Sequence, residues 1–168
     1  MATTRADANH LHVTGSAQTL PRKRILAVDY GRKRIGLALS DELRLTAQPL
    51  GTLPRINRQT DLRRLRETCR SHAVSRIIVG HPLHITGEAG EMADESARFA
   101  ARLRKELGLE VELVDERLTT WEARQMRPGS KRDDGRKRPP VDDLAAAVLL
   151  RDYLEQHGAP AAVETDKD

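Results

Sequence analysis

Apolar residues fall into short blocks along this chain, and the spacing inside each block separates strand from helix. Arg24-Ile-Leu-Ala-Val-Asp29 is a continuous apolar run ending in an acid, the pattern of a buried strand. Tyr30 to Arg34 is a turn with Gly31 at its entry. Ile35-Gly-Leu-Ala-Leu-Ser40 is a second apolar run, close enough to pair with the first as a hairpin. A third short strand is predicted near Gln48 to Leu53, between proline-containing loops. From Asp61 to Cys69 the period changes: Leu62, Leu65 and Cys69 recur at helical spacing, with Arg63, Arg64 and Arg66 on the other face. Arg76-Ile-Ile-Val-Gly80 is another strand. Glu91 to Leu107 reads as a long helix with Met92, Ser96, Phe99, Leu103 and Leu107 on one side, stopped by Gly108. Glu110 to Val114 is a strand, followed by Asp115 and Glu116. Thr119 caps a short helix to about Met126, and Val141 to Glu155 is an Ala/Leu-rich terminal helix. A meander followed by crossover units predicts an α/β fold: a mixed five-stranded sheet flanked by helices. Residues 1–22 read as a disordered N-terminal arm, 23–157 as a single domain and 158–168 as a disordered tail.

Composition narrows the options. At 168 residues the chain holds one domain. Aromatic residues are only 2%, so the core must be aliphatic, and an array of stacking rings for single-stranded nucleic acid is excluded. The single cysteine, Cys69, excludes a disulfide framework and a cysteine-based zinc cluster, which fits a reducing compartment. No apolar run approaches the ~20 residues of a membrane helix, and the first residues lack an apolar signal core, so the expected location is the cytoplasm, with no membrane partner. Lysine plus arginine exceed aspartate plus glutamate by 29 to 25, and most of the bases are arginine, a residue suited to phosphate. This permits a nucleic-acid partner without requiring one.

The acids carry more information than their sum. Asp29 ends the first strand, Asp115 and Glu116 follow the fifth, and Asp142 and Asp143 open the terminal helix. Each alone reads as a turn residue or a helix cap. Together they lie where strand ends of an open sheet face one cleft. Carboxylates gathered there repel unless a cation joins them or a proton is retained. Oxygen donors suit Mg²⁺ or Mn²⁺ rather than zinc, and two such ions ~4 Å apart can activate water and stabilise the leaving oxygen of a phosphodiester.

Basic residues sit beside these acids in sequence. Arg32, Lys33 and Arg34 occupy the hairpin tip, where they are either a solvated turn or phosphate contacts. The stretch from Arg124 to Arg138 adds Arg124, Arg127, Lys131, Arg132, Arg136, Lys137 and Arg138 against Asp133 and Asp134. It reads as a charged linker or as an arm that clamps a polyanion. His81 and His84 lack a third nitrogen or sulfur ligand and make a poor zinc site. They read as surface polarity or substrate contact. Trp121 reads as a packing residue, and Cys69 as a buried small hydrophobe.

Four ordered motifs resemble the YqgF family, also called RuvX. They are Ala27-Val-Asp-Tyr-Gly-Arg-Lys-Arg-Ile-Gly36, Ile78-Val-Gly-His-Pro-Leu83 with Gly87, Val114-Asp-Glu-Arg-Leu-Thr-Thr-Trp-Glu-Ala-Arg124, and Val141-Asp-Asp-Leu-Ala-Ala-Ala-Val-Leu-Leu150. They span about Arg24 to His157. The resemblance implies an RNase H-like fold, cleavage of nucleic-acid backbones in the cytoplasm and a part in maturing the 5′ end of 16S rRNA. It implies that Asp29, Glu116 and Asp142 are the catalytic carboxylates, with Asp143 beside the last to substitute for it or to assist at the metal. Asp115 shapes the strand end. Where the family usually reads Gly-Leu-Pro-Leu-Asn, this chain reads Gly80-His81-Pro82-Leu83-His84.

The reading is a hydrolase of phosphodiester bonds in structured RNA, using two Mg²⁺ or Mn²⁺ ions. Asp29 would bridge them, and Arg117 and the basic segments would hold phosphates. The protein would act as a monomer or homodimer. The alternatives are a four-way DNA junction endonuclease, which needs paired sites, and a non-catalytic RNA- or transcription-associated module. A sugar-kinase-like ATPase is suggested by Asp29-Tyr30-Gly31, but the chain is too short for the two lobes of such a site.

Overall fold

The computed structural model describes residues 23–118 and 141–157; for Leu118, Val141, Asp142 and Asp143 it describes the backbone alone. Strands β1 (Arg24–Tyr30), β2 (Arg34–Ser40) and β3 (Ala47–Pro54) form the meander. Helix α1 (Arg58–Ser71), strand β4 (Val74–His81), helix α2 (Glu91–Leu107) and strand β5 (Glu110–Asp115) follow. Glu116–Leu118 form a 3₁₀ turn, and the terminal helix α3 is Val141–His157. The five strands make one sheet in the order β3-β2-β1-β4-β5. β1 pairs antiparallel with β2 and parallel with β4, and β4 parallel with β5. This is the mixed sheet flanked by helices that the pattern predicts. The predicted N-terminal arm, the Thr119–Met126 helix with Trp121, the basic stretch from Arg124 to Arg138 and the C-terminal tail lie outside the described residues.

The helix boundaries have local causes. α1 starts three residues before the predicted Asp61 because the Asn57 side chain accepts the Thr60 N–H at 2.9 Å. α2 stops at Gly108, which takes the left-handed conformation, φ 66°, that closes a helix.

Alternation along the strands sorts the core into two layers. On one face Leu26, Val28, Leu37, Ile77, Val79 and Val111 pack under α1 and α2, against Leu62, Leu65, Cys69, Phe99 and Leu103. On the other face Ile25, Ala27, Ala38 and Ile78 pack under α3, against Ala146, Ala147, Leu150 and Tyr153. The second layer is small on both sides, alanine against alanine, so α3 lies close to the sheet. Its C-terminal half is pinned by Tyr153, fully buried, whose hydroxyl donates to Glu112 at 2.7 Å and accepts from Arg76 at 2.9 Å. Burial, then the Glu112 carboxylate, pushes that phenol above its usual range.

Candidate catalytic edge

Three strands run parallel, so their C-terminal ends share one edge of the sheet, and the residues of interest stand there. Alternation assigns each a face. Asp29 has the parity of Ile25 and Ala27, which puts it on the α3 side, half-buried. Glu116, first residue of the 3₁₀ turn after β5, lies on the same side, over Gly80, which has the parity of Ile78, and is again half-buried. Asp115 stands on the opposite face, with the parity of Val111 under α2.

Between the two α3-side carboxylates lies bare backbone. Asp29 pairs with Gly36 on β2. On β4, Val79 pairs with Val28, so Gly80 is the residue beside Asp29 on that strand. A methyl group built on Gly80 would meet the Glu116 Oε1 at 2.2 Å and its Cδ at 3.2 Å. The Glu116 carboxylate therefore lies over Gly80, reaching from the end of β5 across β4 toward the strand that carries Asp29. Only glycine at position 80 leaves that space. The sequence alone marks Gly80 as a strand terminator; its steric role needs the register.

Asp115 and Arg117 form a separate unit. The Asp115 carboxylate accepts the Arg117 backbone N–H at 3.0 Å and its guanidinium at 2.6 Å. That guanidinium, beside it, holds the Asp115 carboxyl below its usual range, with the charge of His81 adding to the effect. Arg117 also donates to the Ile85 carbonyl at 3.5 Å, tying the 81–90 loop to the end of β5. His81 shares a hydrogen bond with Ser96 of α2 at 3.2 Å.

The hairpin tip divides. Arg32 ion-pairs with Glu95 at 2.8 Å and Glu91 at 2.9 Å, and both raise its pKa above the arginine range. Its guanidinium is thus engaged by α2, which the sequence, with these residues some 60 positions apart, does not reveal. Lys33 and Arg34 are exposed on the same tip. Behind it, Arg55 donates to the Tyr30 hydroxyl at 2.8 Å and the Gly31 carbonyl at 3.2 Å, and pairs with buried Asp61 at 3.2 Å. This joint, missed in the sequence, fixes the turn that follows Asp29. Tyr30, Arg32, Arg55, Asp61 and Glu95 line a cleft of about 430 Å³ there.

Asp142 and Asp143 fall on the first turn of α3, the helix packed on the Asp29 face, with side chains outside the described residues. Among the described residues no three His, Cys, Asp or Glu side chains gather to hold a metal. Asp29 and Glu116 are the two described carboxylates on the α3 face of this edge. Nor is any described helix long and apolar enough to cross a membrane.

Residues 23–156 match the family described as RuvX: Holliday junction resolvase. The chain belongs to the RuvX family. Similar proteins named "Putative pre-16S rRNA nuclease" include one from Koribacter versatilis, 42% identical over 135 residues, covering 80% of this chain and 88% of that protein. Another, from Geobacillus kaustophilus, is 42% identical over 134 residues, covering 79% and 97%. Among solved structures, T. thermophilus RuvC in complex with Holliday junction substrate superposes with a TM-score of 0.51 at 15% identity, over 82% of this chain and 98% of that one. This RuvX chain therefore has the RNase H-like fold, as its motifs imply.

Proposed function

We propose that this RuvX protein is a metal-dependent nuclease that hydrolyses phosphodiester bonds in structured RNA, maturing the 5′ end of pre-16S rRNA in the cytoplasm. The observation that carries the reading is the Glu116 carboxylate lying over bare Gly80, beside Asp29, on the face where α3 brings Asp142. The names of its relatives supply the substrate class.

The donors fit hard divalent cations: carboxylate oxygens at strand and helix ends, with the Glu116 carboxylate seated where a β-carbon at position 80 would stand. Asp29, Glu116 and Asp142 would hold Mg²⁺ or Mn²⁺, two ions in our reading, with Asp143 adjoining. When bound, such ions neutralise charge on the scissile phosphate and promote attack by water. The chain's own residues do the rest. The Arg55 joint holds the Asp29 turn in place. Asp142 falls on the first turn of α3, where the helix dipole favours negative charge. Lys33, Arg34 and Arg117, with Arg124, Lys131, Arg132, Arg136, Lys137 and Arg138 from the basic segment, contact flanking phosphates.

The test is Asp29→Asn. It abolishes divalent-dependent cleavage of a pre-16S 5′-leader RNA while the melting temperature stays within a few degrees of wild type. Full activity in that variant sinks the assignment. The family's description favours one second reading, cleavage of a four-way DNA junction. Paired incision requires two sites related by symmetry. Junction cleavage by a dimer on gel filtration supports that reading, and a strict monomer opposes it.

A further inference from the structure

The catalytic edge leaves unexplained the arginines of α1, on the other side of the sheet. Arg63, Arg66 and Arg70 recur at i, i+3 and i+7, which places them on one stripe. The stripe flanks the buried face of Leu62, Leu65 and Cys69 and looks toward α2, because Arg66 donates to the Glu106 carbonyl at the end of that helix at 3.0 Å. Arg102, exposed, lies one turn before Glu106 on the same flank. Lys23, Arg66 and Arg70 line a cleft of about 590 Å³ with Glu106, floored by Val74, Leu107 and Leu109. Five cations thus face two acids, Glu67 and Glu106. Among the described residues, the side chains of Arg63, Arg70 and Arg102 form no ion pair.

Direction gives the stripe a meaning. α1 begins at Asn57, two residues after Arg55, which touches the Asp29 turn. It ends three residues before β4, at the opposite edge of the sheet. Its 14 residues span about 21 Å. The arginines therefore form a track leading away from the catalytic edge and ending in the cleft. Arg66 reaches the Glu106 carboxylate only at 4.0 Å, and a row of arginines so weakly paired suits a phosphodiester backbone, whose contacts are repeated and sequence-independent.

We propose that Arg63, Arg66 and Arg70, with Lys23 and Arg102, form a second nucleic-acid surface that holds the phosphate backbone of the substrate's flank along α1, from about 8 to 18 Å beyond the helix's catalytic-edge end. It rests on the nuclease reading for its substrate and adds where the flank is held.

The experiment measures binding without cleavage. Full-length protein and its Arg63→Gln/Arg70→Gln variant are titrated with a labelled 40-nucleotide structured RNA in EDTA, across a KCl series. A tetranucleotide serves as the short control. Each backbone contact contributes about 0.7–0.9 to the slope of log K against log salt. The variant's slope on the long RNA is expected to be shallower by about 1.5, and its slope on the tetranucleotide unchanged. Arg66→Gln is added as a third substitution, with melting recorded because Arg66 also holds α2. An unchanged slope on the long RNA overturns the proposal, as does an equal loss on the tetranucleotide. Displacement of the long RNA by millimolar nucleoside monophosphate assigns the cleft to free nucleotide and also overturns it. A protein that binds with the expected slope yet cuts nothing once Mg²⁺ or Mn²⁺ replaces EDTA refutes the nuclease reading and leaves this surface standing.

Discussion

Replacing Gly80 with alanine tests the geometry of the catalytic edge more sharply than removing a carboxylate. The new methyl would stand 2.2 Å from the Glu116 Oε1, against an ordinary closest approach near 3.4 Å, so one of the two must move by about 1 Å. The backbone of β4 is held by ladders on both sides, whereas Glu116 ends in a flexible side chain, so Glu116 moves. An off-rotamer side chain costs about 0.5–1.5 kcal/mol. Gly80→Ala should therefore lower unfolding stability by only about 1 kcal/mol, a shift of a few degrees in melting temperature. A displacement of about 1 Å at a reacting centre costs on the order of 10²-fold in rate. The expected outcome is a folded protein with roughly hundred-fold weaker divalent-dependent cleavage and a higher metal requirement. A double-mutant cycle isolates the cause. Gly80→Ala on a Glu116→Gln background should add almost nothing, because the group it displaces has already lost its charge. Wild-type cleavage in Gly80→Ala, or fully additive losses in the cycle, would refute the placement of Glu116 over Gly80.

Other consequences follow from the same structure. Asp61→Asn leaves Arg55 without its carboxylate in a largely buried joint, and should cost about 2–4 kcal/mol by urea denaturation. Asp115 titrates below its usual value because Arg117 stabilises its charged form. Its contribution to stability is thus present above the unfolded carboxylate pKa near 3.8 and is lost as pH falls through the lower folded value. Carboxyl NMR should show the Asp115 midpoint rising in Arg117→Gln; no movement would mean the pair is not formed. Tyr153→Phe removes two hydrogen bonds that pin α3 and should lower stability by about 1–2 kcal/mol in a thermal melt.

Much of the fold was legible because hydrophobic period is a strong local signal. The predicted limits of α2 match those observed, since Gly108 punctuates the helix; those of β3 fall within a residue, although Pro49 and Pro54 lie inside the strand and not in the flanking loops the sequence suggests. The apolar period begins one turn late in α1, because the helix's first turn is set by the Asn57 cap and carries no apolar residue. At the candidate site the sequence supplied residue types but not sides. Asp115 and Glu116 are neighbours with equal chemistry on paper, yet one ends β5 and pairs with Arg117 while the other opens the 3₁₀ turn and lies over Gly80. The sequence leaves Arg32 as a solvated turn residue or a phosphate contact; its two glutamates, distant in sequence, become visible only when α2 folds against the hairpin. The Arg55 joint was hidden for the same reason: it links β1, β3 and α1 by side-chain contacts that leave no periodic trace.

The one-residue offset between Asp115 and Glu116 also shapes how this gene can vary. Substitutions along β5 keep each side chain on its face, so drift by point change is tolerated wherever packing permits. Loss or gain of a single codon between Val111 and Glu116 exchanges the two faces, delivering Asp115 to Gly80 or Glu116 to the Arg117 side. A change of two codons restores the face but moves the carboxylate about 6–7 Å along the strand. Lineages of this protein should therefore carry length variation in the loops that flank β5 and almost none within it, and a deletion scan across 110–116 should read as a run of inactive proteins regardless of how well each one folds.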